Sequence, residues 1–374
     1  MSGRPINRST AKGKGNMDGV RTPSEVFEIH RPALLRLAYR MTGSFAEAED
    51  IVQDAWLRWS RVHGEGVGRS RPGEPIDRPL AWLRRTVTRL SIDHMRSARV
   101  RRERYVGPWL PEPVAAHVVP PPAPDELAER ADEVTAALLL VLERLAPAER
   151  AAFLLHDVFG VPHREVAVTL GCTPAAARQT ASRARRRVRE ARRGRADRDA
   201  SERFTKAFHS VLASGDLAAF MRMLADDVAL HVDAGGTKPS ALRPLRGRDE
   251  VTAFLLHIAS RALGAPSALE GVGEHGRDVG RAENAGRSVT ARPGDERSPA
   301  SRIADLFAPI PLSGETGYRV REPDGSVQVW TLDWNADGTL AVIHIQRNAG
   351  KLGAVTHGAS AGRGKQSMDE HGWR

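Results

Sequence analysis

Apolar residues in the first half of the chain recur at helical spacing, and those of the last part alternate. Between 174 and 191 the residues Ala177, Ala181, Ala184 and Val188 return every three or four positions. That spacing predicts one narrow buried stripe on a helix. Arg178, Gln179, Ser182, Arg183 and Arg186 fall between them and point outward. Upstream, Arg164 to Leu170 reads as another helix. Gly171 can supply the positive φ of a tight turn, Thr173 is a good N-cap, and Pro174 suits the first helical position. Small residues inside and long donors outside describe a helix-turn-helix whose second helix offers its open face to DNA. Cys172, in the turn, is expected to be a small buried apolar residue.

Three more helices precede it. Thr22-Pro-Ser-Glu25 is a capping box that opens a helix towards Met41, and Ser44-Phe-Ala-Glu47 is a second, opening a helix to about Trp59. A third helix runs from about Pro79 to Arg104, with Leu83, Val87, Leu90 and Ile92 as its core face. Trp82, Arg85, Thr86, Arg89 and Arg96 lie on its other faces. Residues 60–78 read as a loop. Residues 105–124 hold seven prolines and form a stiff linker, not a helix. After Ser201 the pattern changes. Helices over about 202–214 and 216–225, a strand at Val228 to Asp233 and a helix over 248–263 come first. Strands over 318–322, 326–334 and 339–347 follow, with hairpin turns at Pro323-Asp-Gly325 and Asn335-Ala-Asp-Gly338. This is α+β, with a curved antiparallel sheet. Residues 1–20 and 353–374 read as flexible, and 264–300 as a long disordered insertion.

Charge sharpens the picture. The 374 residues carry a formal net charge of +10. Eight arginines against two acids lie between Arg84 and Arg104, and ten arginines between Arg178 and Arg198. Clustered basic charge favours nucleic acid. Arginines interleaved with Trp82 on the third helix suit unstacked bases, through stacking and phosphate neutralisation. The second helix carries Glu47, Glu49, Asp50, Gln53 and Asp54, then Trp56 and Trp59. One tryptophan can fill a core while the other, beside the acidic face, anchors a protein partner. A single cysteine excludes an intrachain disulfide and argues against a metal centre. With no run of 18 apolar residues and a polar, basic start, the chain is expected to be cytoplasmic, with no membrane contact.

These blocks carry a resemblance. Met41 to Trp59 resembles region 2 of bacterial sigma factors of the extracytoplasmic-function class. Ala81 to Arg104 resembles the remainder of region 2, and Leu142 to Arg189 resembles region 4. Tyr105-Val-Gly-Pro-Trp-Leu-Pro-Glu-Pro113 is similar to a linker motif of those sigma factors that carry a fused SnoaL-like C-terminal domain. Asp233-Ala-Gly-Gly-Thr-Lys238 and Arg347-Asn-Ala-Gly-Lys-Leu352 approximate two motifs of that domain, with Ala234, Thr237 and Ala349-Gly350 departing from them. The resemblance implies sigma region 2 over 21–104, a linker over 105–126, region 4 over 127–193 and a SnoaL-like cone over 202–352. It implies that Asp50, Gln53, Asp54, Trp56 and Trp59 face the β′ subunit of the RNA polymerase core. Arg85, Arg89, Asp93 and Arg96 would lie near the −10 strand of promoter DNA. Arg178, Gln179, Ser182 and Arg183 would enter the −35 major groove, with Arg186, Arg187 and Arg189 on phosphates. Trp109, Pro111, Asp233, Lys238, Asn348 and Lys351 would make the regulatory contacts. Arg89 stands where many relatives have Asn, so the −10 preference need not be the common one.

Two rival readings remain at this point. One is a one-component regulator whose C-terminal domain senses a ligand. The other is a SnoaL-like enzyme with a DNA-binding arm, using His231, Asp233, His257 or His344 as acid or base. No pairing of a base with an orienting group is evident in the sequence. The acidic, tryptophan-bearing helix argues against both. The reading adopted is a transcription initiation factor with no catalytic residues, cofactor or metal. Its C-terminal domain is a regulatory module that leaves room for a small-molecule ligand.

Overall fold

A computed structural model describes residues 21–63, 76–102, 105–118, 135–191, 198–214, 217–263, 306–322 and 324–356. The expectations for 1–20, 264–300 and the tail beyond 356 lie outside these residues, as do most of the 60–78 loop and the end of the linker. Helix α1 (Pro23–Thr42) opens on the predicted capping box. The Thr22 side chain accepts from the Glu25 amide at 3.2 Å, and Glu25 accepts from the Thr22 amide at 2.8 Å. It stops at Gly43, whose φ of 73° suits a residue without Cβ. Helix α2 (Phe45–Val62) starts at Ser44, which accepts from the Glu47 amide at 3.3 Å. The box there is only half made, because Glu47 turns to His94 at 3.0 Å. Helix α3 (Pro79–Arg102) completes this group.

Helices α4 (Ala136–Glu143) and α5 (Pro147–Phe153) follow, and α5 runs into a π turn at Leu154–Val158. Then come α6 (His163–Leu170) and α7 (Pro174–Ala191), the predicted helix-turn-helix. The two helical groups are not separate bodies. Leu34, Val52, Trp59 and Val87 of the first group join Leu142, Phe153, Val166 and Ala181 of the second in one buried cluster. Arg150 is buried within it and donates to the Met41 carbonyl at 2.5 Å and to Glu143 at 2.9 Å.

The last part contains α8 (Arg198–Ser214), α9 (Leu217–Met223) and α10 (Arg248–Leu263) over a six-stranded sheet. Its strands are β1 (Leu224–Asp233), β2 (Leu245–Arg246), β3 (Phe307–Leu312), β4 (Glu315–Arg321), β5 (Val327–Trp334) and β6 (Leu340–Gln346), in the order β2-β1-β6-β5-β4-β3. A 3₁₀ turn at Ala349–Lys351 and the short α11 (Gly353–Thr356) follow. The sheet is mixed rather than purely antiparallel, because β1 pairs β6 in parallel. Strand β3 escapes prediction because Pro309 and Pro311 interrupt it. It lies at the sheet edge, where missing amide donors are tolerated. One sheet face and the helices bury Phe204, Phe208, Phe220, Phe307, Tyr318, Trp330 and Trp334 together. Burial of each such ring stabilises the domain by about 1.5–3 kcal/mol. Among the described residues, no helix is long and apolar enough to cross a membrane.

Candidate functional site

Helix α2 exposes Glu49, Asp50, Gln53 and Asp54 along one side. Trp56 is half-buried against Phe27, with ring centroids 5.0 Å apart. Trp59 belongs elsewhere. It is 1% exposed and its indole donates to the Pro23 carbonyl at 2.9 Å, so it fills the core and offers no docking surface. Of the two tryptophans, only Trp56 borders the acidic face.

On α3, Leu83, Val87 and Ile92 are buried as expected, while Arg89, Asp93 and Arg96 are exposed and Arg85 is partly so. Thr86, expected on an outer face, is buried and donates to the Trp82 carbonyl at 2.9 Å. Asp93 and Arg96 pair at 3.6 Å. Arg89 reaches across to α6, donating to the carbonyls of Thr169 at 3.1 Å and Val168 at 3.0 Å. Beside it Arg78 pairs with Glu165 at 2.9 Å.

The helix-turn-helix follows its pattern closely. Gly171 takes φ 67°, and the Thr173 hydroxyl accepts from the Ala176 amide at 3.2 Å. Ala177, Ala181, Ala184 and Val188 are buried. Arg178, Gln179, Ser182, Arg183 and Arg186 are exposed on the other side. Arg187 pairs with Glu149 at 2.6 Å and Arg185 with Asp157 at 2.5 Å, so both brace α7 on its neighbours. Cys172 is exposed, not buried, because the turn carries it away from the helix interface.

The linker between these helical groups is wedged against the C-terminal domain. Asp233, at the end of β1, is fully buried and collects donors from both sides. It accepts from the Tyr105 hydroxyl at 2.5 Å, the Leu110 amide at 2.9 Å and Lys351 Nζ at 2.7 Å. Gly235 and Gln346 add donors at 3.1 and 3.2 Å. Lys351 Nζ also donates to the Leu110 carbonyl at 2.8 Å and sits 4.2 Å from the Trp109 ring centroid. Asn348 donates to the Tyr105 hydroxyl at 2.9 Å. Burial, and then the bond to Asp233, raise the Tyr105 hydroxyl well above its ordinary value, so it stays a donor.

Trp109 does not dock on the C-terminal domain alone. A Cβ placed on Gly43 would lie 3.0 Å from the ring, so the indole is held between the α1–α2 turn and Lys351. Pro111 is buried nearby, and its carbonyl accepts from Gln346 at 3.4 Å. Lys238 stands apart. It binds Asp324 at 3.0 Å, Glu322 at 3.4 Å and Ser326, tying its turn to the β4–β5 hairpin instead of the linker. Tyr105 and Gln346 belong to the contact, Glu112 to the adjoining turn, and none of the three was singled out from the sequence. Tyr105 and Glu112 lie inside the linker motif itself, and that was the available signal.

Beyond Pro113 the linker runs beside β3. The Ser313 amide donates to the Val114 carbonyl at 2.9 Å and the Ala116 amide to the Pro311 carbonyl at 3.1 Å. A small cavity remains between linker, α4 and sheet, lined by Leu110, Pro113, Leu139, Thr331, His344 and Glu315. Glu315 accepts from the Ala136 amide at 2.7 Å, at the start of α4, and burial pushes its carboxyl up to about 8. His344 pairs with Asp333 at 3.1 Å, an imidazole–carboxylate pair that the sequence does not reveal. Its neighbour His231 is pushed down to about 4 by burial and by His344. These groups lie beneath the junction, not in an open cleft.

Comparison with known proteins bears on both parts. Residues 26–101 match the family described as Sigma-70 region 2, and residues 135–188 match Sigma-70, region 4. The chain is 44% identical over 239 residues to the ECF RNA polymerase sigma factor SigJ of Mycobacterium tuberculosis, covering 63% of this chain and 72% of that one. It is 38% identical over 217 residues to the probable ECF RNA polymerase sigma factor SigI of the same organism, covering 56% and 70%. The crystal structure of the Mycobacterium tuberculosis extracytoplasmic function sigma factor SigJ aligns with a TM-score of 0.62 at 31% identity. That alignment covers 88% of this chain and 98% of that one.

Proposed function

The chain belongs to the extracytoplasmic-function RNA polymerase sigma factors of the sigma-70 family, and we propose that its C-terminal domain sets its activity by gripping the linker between the two promoter-reading regions. It directs promoter-specific transcription initiation, with RNA polymerase core and promoter DNA as partners. On this reading region 2 spans 21–104, region 4 spans 127–193, and 202–352 is the SnoaL-like regulatory domain. Asp50, Gln53, Asp54 and Trp56 dock on the polymerase β′ subunit. Arg85, Arg89, Asp93 and Arg96 meet the −10 strand. Arg178, Gln179, Ser182 and Arg183 read the −35 groove, and Arg186 meets phosphate. No catalytic step is assigned, and the protein works in the cytoplasm beside the polymerase.

One observation carries the regulatory part. The buried Asp233 carboxylate binds the linker at Tyr105 and Leu110 while it pairs with Lys351. A buried charge with this many partners resists removal of any one of them. The linker's path therefore depends on the C-terminal domain, and with it the distance between the two DNA-reading helices. The test is transcription from purified core enzyme with the full-length chain, its Trp109→Ala and Asp233→Ala variants, and the double variant. Both residues contact Lys351, so the effects on activity are expected to be strongly non-additive. Activities that multiply as independent factors would overturn the reading.

A further inference from the structure

The grip on the linker has a second end. Glu112 is buried, and its carboxylate turns to the start of α2. Its carboxylate accepts from the Phe45 amide at 2.7 Å, the Ser44 hydroxyl at 3.1 Å and the Ala46 amide at 3.5 Å. Phe45 and Ala46 are the first two residues of α2, whose amides have no acceptor within the helix. Ser44, the helix's own cap, serves the third amide, that of Glu47. The backbone of Glu112 is fixed to the same turn. Its amide donates to the Gly43 carbonyl at 2.8 Å, and its carbonyl accepts from the Tyr39 hydroxyl at 2.7 Å. Two residues earlier, Leu110 has its amide on Asp233 and its carbonyl on Lys351. A stretch of three residues thus joins the C-terminal domain to the start of the acidic helix.

We propose that Glu112 is a positioning residue that caps α2 from the linker and so couples the grip of the C-terminal domain to the docking of α2 on RNA polymerase core. This rests on the regulatory reading given above. A carboxylate at a helix N-terminus is favoured by the unpaired amides and by the helix dipole. With Glu112 seated, the first turn of α2 is fixed. With the linker released, the Phe45 and Ala46 amides lose their acceptor, and the turn leading to Glu49 and Asp50 loosens. By reciprocity, a polymerase surface that favours an ordered α2 favours the seated linker.

Amide hydrogen exchange on the full-length chain tests this, with Glu112→Ala, Glu112→Gln and Asp233→Ala as variants. Glu112→Ala should speed exchange at Phe45 and Ala46 at least tenfold while the rest of α2 stays protected. Glu112→Gln keeps an acceptor without the charge and should lie between. Asp233→Ala should release the Leu110 amide and, through the linker, also speed Phe45 and Ala46. Adding RNA polymerase core should change exchange at Leu110 in the parent chain, and this response should vanish in Glu112→Ala. A merely structural cap would not give that last result. Release of Leu110 in Asp233→Ala with Phe45 and Ala46 unmoved would overturn the coupling and leave the grip standing. A Leu110 amide still protected in Asp233→Ala would overturn the grip itself. A core response at Leu110 retained in Glu112→Ala would also sink the coupling.

Discussion

Helices α3 and α7 carry arginines in opposite circumstances. Both bury a short apolar stripe and present arginines. On α7, Arg178, Gln179, Ser182 and Arg183 stand exposed. On α3, Arg89 spends its guanidinium on the Val168 and Thr169 carbonyls in the last turn of α6, where unpaired carbonyls and the negative end of the helix dipole sit. Arg78 is likewise engaged with Glu165. Of the donors proposed for the −10 strand, Arg89 is thus engaged with α6, while those proposed for the −35 groove stand exposed. On the proposed assignment, this arrangement leaves the −35 face open and holds Arg89 of the −10 face against α6. On that assignment, freeing Arg89 for DNA means breaking its bonds to the end of α6.

The largest expected effect comes from removing what holds the two regions together. Arg150→Ala leaves Glu143 and the Met41 carbonyl without their buried partner, a change that typically costs about 3–5 kcal/mol. Denaturant unfolding should show that loss, and the last turn of α6 should exchange faster. Unchanged stability would mean that the shared core alone joins the regions.

A pH effect follows in size. Glu315 has its carboxyl pushed up to about 8 from an ordinary 4.5, so between these values the folded junction holds a proton that the unfolded chain gives up. Its stabilising contribution is complete below about pH 4.5 and is lost as pH rises through about 8, on the order of a few kcal/mol over the window. Contact between α4 and the sheet should loosen across that range, while the α7 face is unaffected. Glu315→Gln should flatten the dependence. A pH-independent junction in the parent chain would show that the carboxyl is not the controlling group.

Smaller still are the reading contacts. Arg178→Ala or Gln179→Ala should remove about 1–3 kcal/mol of discrimination at −35. A −35 preference left intact in binding assays would reassign that face. Arg78→Ala, which breaks an exposed pair, should cost under about 1 kcal/mol. Its signature would be faster exchange in α6 with −35 binding unaltered, and slower exchange there would contradict the covered state of α3.

Much of the architecture was legible locally. Thr22 and Glu25, Gly171 and Thr173, and the alanine stripe of α7 declare themselves because caps and periodicity involve neighbours in sequence. Trp56 and Trp59 were harder. Both lie on one helix, and only the packing of α1 shows that Trp59 is inside. Cys172 was misjudged because a turn can direct a small apolar residue to either side. Strand β3 was hidden by its two prolines, which signal a break unless the strand is known to be an edge. Lys238 and Lys351 looked alike as lysines near glycine-rich turns. Their separate destinies depend on where the β4–β5 hairpin folds back. Glu112 is the clearest case: its partners lie about seventy residues away, and nothing local marks a carboxylate in a proline-rich segment as the cap of another helix.

Strand β3 has one more consequence. The linker is bound to this edge through the Pro311 carbonyl and the Ser313 amide. Backbone groups of alternate residues face the same way, so Pro309 and Pro311 both turn a hydrogen-free nitrogen towards that edge. A bare edge normally invites a strand from another molecule, the first step of aggregation or domain swapping. This edge offers acceptors with few donors, and an incoming strand would find half its hydrogen bonds missing. Wherever the linker does not cover it, this edge makes a poor template for fibre growth.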